Sequence, residues 1–111
     1  MHNKFECNLT EVTKATVAQR TKELWDIEGI IKNKSNQSFK FDLRPISKHG
    51  NELGKKGSIQ TKADKMVFES KDQWIIIDLA ELHKYLKENK LEKVFLQDLL
   101  SNLEWNIVLP K

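Results

Sequence analysis

Phe39-Lys40-Phe41-Asp42-Leu43-Arg44-Pro45 is the stretch on which the reading of this 111-residue chain turns. Side chains on a β-strand point alternately to opposite faces. That period puts Phe39, Phe41 and Leu43 on one face and Lys40, Asp42 and Arg44 on the other, so an apolar core face is backed by a cation, carboxylate, cation row. Pro45 lacks an amide donor and ends regular pairing. Upstream, Leu24 to Ile31 alternates toward a second strand, and Lys34-Ser35-Asn36-Gln37-Ser38 supplies turn formers, which together predict a hairpin.

Further outward, residues Thr10 to Leu24 are helix-compatible. Thr10 or Thr13 can serve as N-cap, and Val12, Ala15 and Ala18 form a thin apolar stripe. After Pro45, Ser47 to Lys56, with His49-Gly50-Asn51 and Gly54, reads as a loop. Gly57-Ser58-Ile59 and Lys65-Met66-Val67-Phe68 read as strands, and Lys71-Asp72-Gln73 as a tight turn. Trp74-Ile75-Ile76-Ile77 is a short apolar, β-branched run suited to a buried central strand. Asp78-Leu79-Ala80-Glu81 has capping-box spacing, and Leu79, Leu82 and Leu86 continue a helical face to about Asn89. Leu96, Leu99, Leu100 and Leu103 predict a second short helix, and Trp105, Ile107 and Leu109 a terminal strand. The order helix, sheet, helices, strand predicts an α+β or mixed α/β class: a small mixed β-sheet flanked by helices, in one domain over residues 1–111.

Composition sets the bounds. Hydrophobic residues make up 39% and nine residues are aromatic, enough for one modest core and too much for a disordered chain. The longest apolar run, Trp74 to Ile77, is far too short to span a membrane, so no membrane partner is expected. The start MHNKFECNLT lacks a basic-then-apolar leader pattern and Cys7 is the single cysteine, so a cytoplasmic location is expected and the sequon Asn8-Leu9-Thr10 reads as incidental. The net charge of +3 is unevenly spread: residues 1–31 balance at −1 and residues 66–111 at −2, whereas Lys32 to Lys65 holds nine cations against three acids. That middle segment, with Lys48, Lys55, Lys56 and Lys62, is a candidate phosphate-facing surface, the alternative being a solvated, loop-rich stretch.

Three acids stand among apolar neighbours: Asp26 after Trp25, Asp42 between Phe41 and Leu43, and Asp64 after Ala63. If Asp26 and Asp42 face each other on adjacent hairpin strands, the pair can share a hard divalent cation such as Mg2+ or Mn2+. Such an ion suits phosphodiester chemistry, with Lys40 or Arg44 stabilising the phosphate. The alternative is that these acids are ion-paired with Lys40 and Arg44. His2, His49 and His83 have no zinc-ligand spacing, no Gly-rich phosphate loop precedes a helix, and Cys7 has no evident base partner. Trp25, Trp74 and Trp105 sit in apolar patterns and read as core.

The run AQRTKELWDIEGIIKNKSNQSFKFDLRP resembles the hairpin of the PD-(D/E)xK nuclease superfamily. Asp26 stands at the metal-binding Asp and Asp42-Leu43-Arg44 at the Asp-x-Lys site. Thr61-Lys62-Ala63-Asp64 is similar to a tetrad that precedes a hydrophobic strand in some phage and bacterial members. The resemblance, over roughly residues 11 to 82, implies a restriction-endonuclease-like core and a metal-dependent deoxyribonuclease acting on duplex or branched DNA as a monomer or homodimer. Glu11 and Gln19 match polar positions on that superfamily's first helix. Trp25 replaces the motif proline, Arg44 replaces the motif lysine, and the short connection from Pro45 to Ser58 leaves out a strand that walls the site. Arginine stays protonated, so Arg44 can hold an anion but cannot take a proton from water; Lys40, two residues before Asp42 on the same strand face, is the candidate substitute. Three functions are therefore expected: a nuclease, a catalytically inactive nuclease-like factor of a phage or mobile element, or an immunity-type protein that binds a partner protein.

Overall fold

In the computed structural model, residues 4–32, 34, 36–45, 52–54 and 61–111 are described. After a 3-10 turn (Phe5–Asn8) come β1 (Leu9–Lys14), α1 (Val17–Lys22), β2 (Ile27–Ile31), β3 (Ser38–Pro45), β4 (Glu52–Gly54), β5 (Lys65–Glu69), β6 (Gln73–Asp78), α2 (Leu79–Glu88), β7 (Lys93–Phe95), α3 (Leu96–Leu100) and β8 (Asn106–Pro110). The main sheet has the order β1-β2-β3-β5-β6-β8, and β4 pairs with β7 in a separate ribbon. β3 runs parallel to β5, and the other pairs are antiparallel. The class is α+β with a mixed six-stranded sheet, as the sequence predicts.

Period-2 alternation sorts the sheet into two apolar layers. Met66, Phe68, Ile75 and Ile77 face α2, where Leu79, Leu82 and Leu86 meet them, together with Leu53, Val94 and Leu99 from the ribbon and α3. Val67, Trp74 and Ile76 face the other way, into a cluster with Phe5, Leu9, Ile27, Ile31 and Phe41. Because β5 and β6 are covered on both sides, each reads as a continuous apolar run rather than an alternating one. The predicted hairpin forms with Ile27 opposite Phe41, and Trp74 to Ile77 occupies an interior strand. Asp78 caps α2, its carboxylate accepting from the Glu81 amide at 3.1 Å.

Two expectations are corrected. The predicted helix over Thr10 to Leu24 is split: Leu9–Lys14 is an edge strand paired with β2, and only Val17–Lys22 is helical. Neither Thr10 nor Thr13 is the N-cap; Thr16 is, in a complete capping box with Gln19. The β-branched Thr10, Val12 and Thr13 favour extension once β2 offers a ladder, and a bulge between Thr10 and Thr13, with Glu11 at φ 53°, blurs the period. The predicted loop from Ser47 to Lys56 contains β4, because Leu53 is buried opposite Val94 of β7, itself an unpredicted strand. Three-residue strands carry too little periodicity to be seen in sequence. Gly57-Ser58-Ile59 lies outside the described residues.

Candidate functional site

Asp26 lies just before β2, on a chain that leaves α1 through Leu24 at φ 63°. Its amide donates to the Phe41 carbonyl at 2.8 Å, and its Oδ2 accepts from the Leu43 amide at 2.8 Å. Asp26 therefore clasps β3 on either side of Asp42. Its other oxygen faces Arg20 Nε at 4.0 Å.

Asp42 is 5% exposed, and both its oxygens accept from Arg44: Nε to Oδ1 at 3.3 Å and a terminal guanidinium nitrogen to Oδ2 at 3.0 Å. Such a forked contact matches the planar carboxylate and fixes the guanidinium. The alternative in which Asp42 is ion-paired with its strand neighbour is thus the arrangement seen. A divalent cation fits this arrangement poorly, because a permanently charged guanidinium already engages both Asp42 oxygens and repels a second cation beside it. Among the described residues, no group of three His, Cys, Asp or Glu side chains converges as a metal set.

The remaining predicted residues scatter. Lys40 Nζ lies 5.2 Å from the centre of the Trp25 ring and 4.0 Å from Glu23, away from the Asp26 clasp. Asp64 lies just before β5, its amide donating to the Lys40 carbonyl at 2.8 Å and its Oδ2 accepting from the Lys40 amide at 2.9 Å. Lys62 is exposed, and its amide donates to the Glu23 carbonyl at 2.7 Å. Lys65, counted in the basic segment, is buried: Nζ bonds Asp78 at 2.7 Å and sits 3.8 Å from the Trp105 ring centre and 4.4 Å from that of Phe39. Glu11 is on β1, not on a helix, and Gln19 spends its side chain on the Thr16 cap. Lys48, Lys55, Lys56, His2 and His49 lie outside the described residues.

What the fold does assemble is an open cleft of about 730 Å3 against the Phe41 layer, with Asp26, Leu43 and Arg44 in its wall. Phe5, Ile27, Val67 and Trp74 form its apolar floor. Six cations line it, Lys4, Lys14, Arg20, Arg44, Lys71 and Lys111, against three carboxylates, Glu6, Asp26 and Glu69. Lys111 bonds Glu69 at 2.8 Å, and its amide is tied to the Asp72 carbonyl; Lys14 lies 3.8 Å from Glu6. Lys4 and Lys71 have no ion-pair partner among the described residues.

No protein-family model, curated protein or solved structure matches the chain. The cleft is thus read from its own chemistry. Of its six cations only Arg44 belongs to the basic middle segment. The others come from both chain ends, from α1 and from the β5–β6 turn, and no local sequence signal joins them. The capping box Thr16-Val17-Ala18-Gln19 is the one missed signal, since it fixes α1 and with it Arg20.

Proposed function

We propose that this protein binds nucleic acid through the cleft, gripping phosphates with its ring of lysines and arginines. The observation that carries this reading is the excess of cations around one concave site: six line it against three carboxylates, and with Asp42 paired to Arg44, Lys4 and Lys71 are left without an ion-pair partner among the described residues. Arg44, held by Asp42, then acts as a prepositioned phosphate contact, and the protein belongs with the nuclease-like binders that do not cut. The β2–β3 hairpin followed by a parallel β5, with Asp26 bonded to the backbone on either side of Asp42, supports descent from a nuclease arrangement.

Fluorescence anisotropy with labelled DNA tests the binding. Affinity should fall about tenfold or more between about 50 and 200 mM salt, as several counterions are released. Unchanged affinity over that range would remove nucleic acid as the ligand and favour a protein partner. The second reading, magnesium-dependent cleavage, draws on Asp26 holding the β3 backbone on either side of Asp42. Supercoiled DNA nicked by the protein with magnesium, and left intact by Asp42→Ala, would establish it in place of the non-cutting form.

A further inference from the structure

The cleft differs from a simple phosphate-binding surface in having a floor. Phe5, Ile27, Val67 and Trp74 are each buried to at least 94% and close the bottom, while Leu43, at the end of the apolar row on β3, remains 37% exposed in the wall. The cations stand around this floor on separate elements: Lys14 at the end of β1, Arg20 on α1, Arg44 on β3 and Lys71 in the β5–β6 turn. A volume of about 730 Å3 is the size of a small-molecule site. A duplex keeps its bases stacked inside and presents phosphates, so it could only lie across the rim and would leave Leu43 and the floor uncovered. An unpaired nucleotide has an apolar face for the floor and flanking phosphates for the rim.

We infer that the cleft selects single-stranded nucleic acid, taking one unpaired base against Leu43 and the floor while the adjoining phosphates meet Arg20, Arg44 and Lys71. This inference rests on the nucleic-acid reading above and narrows it.

The test compares a fluorescein-labelled oligothymidylate with a blunt duplex of the same length at one salt concentration. The single strand should bind about tenfold or more tightly than the duplex, the worth of one stacked base. Leu43→Glu should remove most of that preference. Leu43→Lys, which adds a cation to the wall, should also shrink the preference, even while it strengthens duplex binding. Circular dichroism and thermal melts confirm that both variants are folded. A duplex bound as tightly as the strand, or a preference unchanged in both variants, overturns the inference and leaves the phosphate-binding reading intact. Absence of binding to either oligonucleotide overturns both.

Discussion

At the scale of single residues, two buried charges show how position alters meaning. Asp42 and Lys65 both belong to strand patterns, yet each is covered by the fold and matched there by one partner. Removing one member of such a pair leaves the other charge without compensation. Lys65→Ala should cost about 2–4 kcal/mol in urea unfolding, since Asp78 loses its ammonium partner and Phe39 and Trp105 lose the cation between them. Asp42→Ala should cost less, about 1–3 kcal/mol, because Arg44 keeps 31% of its side chain in water and regains solvation when freed. Equal losses for the two variants would mean that burial of the partner does not set the cost. The sequence marks Asp42 as unusual through its apolar neighbours, but it places Lys65 with the basic middle segment and cannot say that this lysine faces inward. That depends on Trp105, forty residues away and brought alongside by β6 and β8.

Elements owe their limits to caps and to what lies across the sheet. α2 is legible from Asp78 and the leucine spacing, and it stops in a Schellman motif, the Leu91 amide reaching the Leu86 carbonyl at 2.8 Å. The motif requires a left-handed residue, and Lys90 supplies it at φ 55°. Because Lys90 is exposed, Lys90→Gly should stabilise the protein by about 0.5–1 kcal/mol, read as a raised melting temperature. Thr16→Ala should lose about 1 kcal/mol through the broken capping box and should also weaken oligonucleotide binding, since α1 carries Arg20. A loss of stability with no change in binding would show that Arg20 does not depend on the cap. β1 presents the opposite case. Its β-branched residues fit a strand, its polar ones fit a helix, and only pairing with β2 decides. Gly29 makes that pairing close: a Cβ there would lie 3.1 Å from the Thr10 carbonyl oxygen and from the Leu9 side chain, so Gly29→Ala should destabilise the edge by about 1–2 kcal/mol.

For the molecule as a whole, charge is organised by the tertiary fold and not by the chain. The segment richest in lysine contributes one side chain to the cleft; the two ends of the chain, β1, α1 and the β5–β6 turn contribute the rest. Reversing a cleft charge should therefore matter more than reversing a middle-segment charge. Lys71→Glu should weaken oligonucleotide binding at least about fivefold and flatten its salt dependence, while Lys34→Glu, exposed and outside the cleft, should change it less than about twofold. The reverse ranking would return the interface to the middle segment. The sequence alone determined the class, the hairpin, the capped α2 and the interior strand, because these follow from periods of two and 3.6 residues, from an unbroken apolar run and from caps, all patterns among near neighbours. It also singled out Asp26, Asp42 and Asp64, of which the fold buries only Asp42. Only the tertiary structure decided that Arg44 engages Asp42, that β1 is a strand, and that Lys4 and Lys111 stand at one site. Ion pairing and cleft formation depend on distances through space, and those are set by the sheet order, which no local pattern encodes.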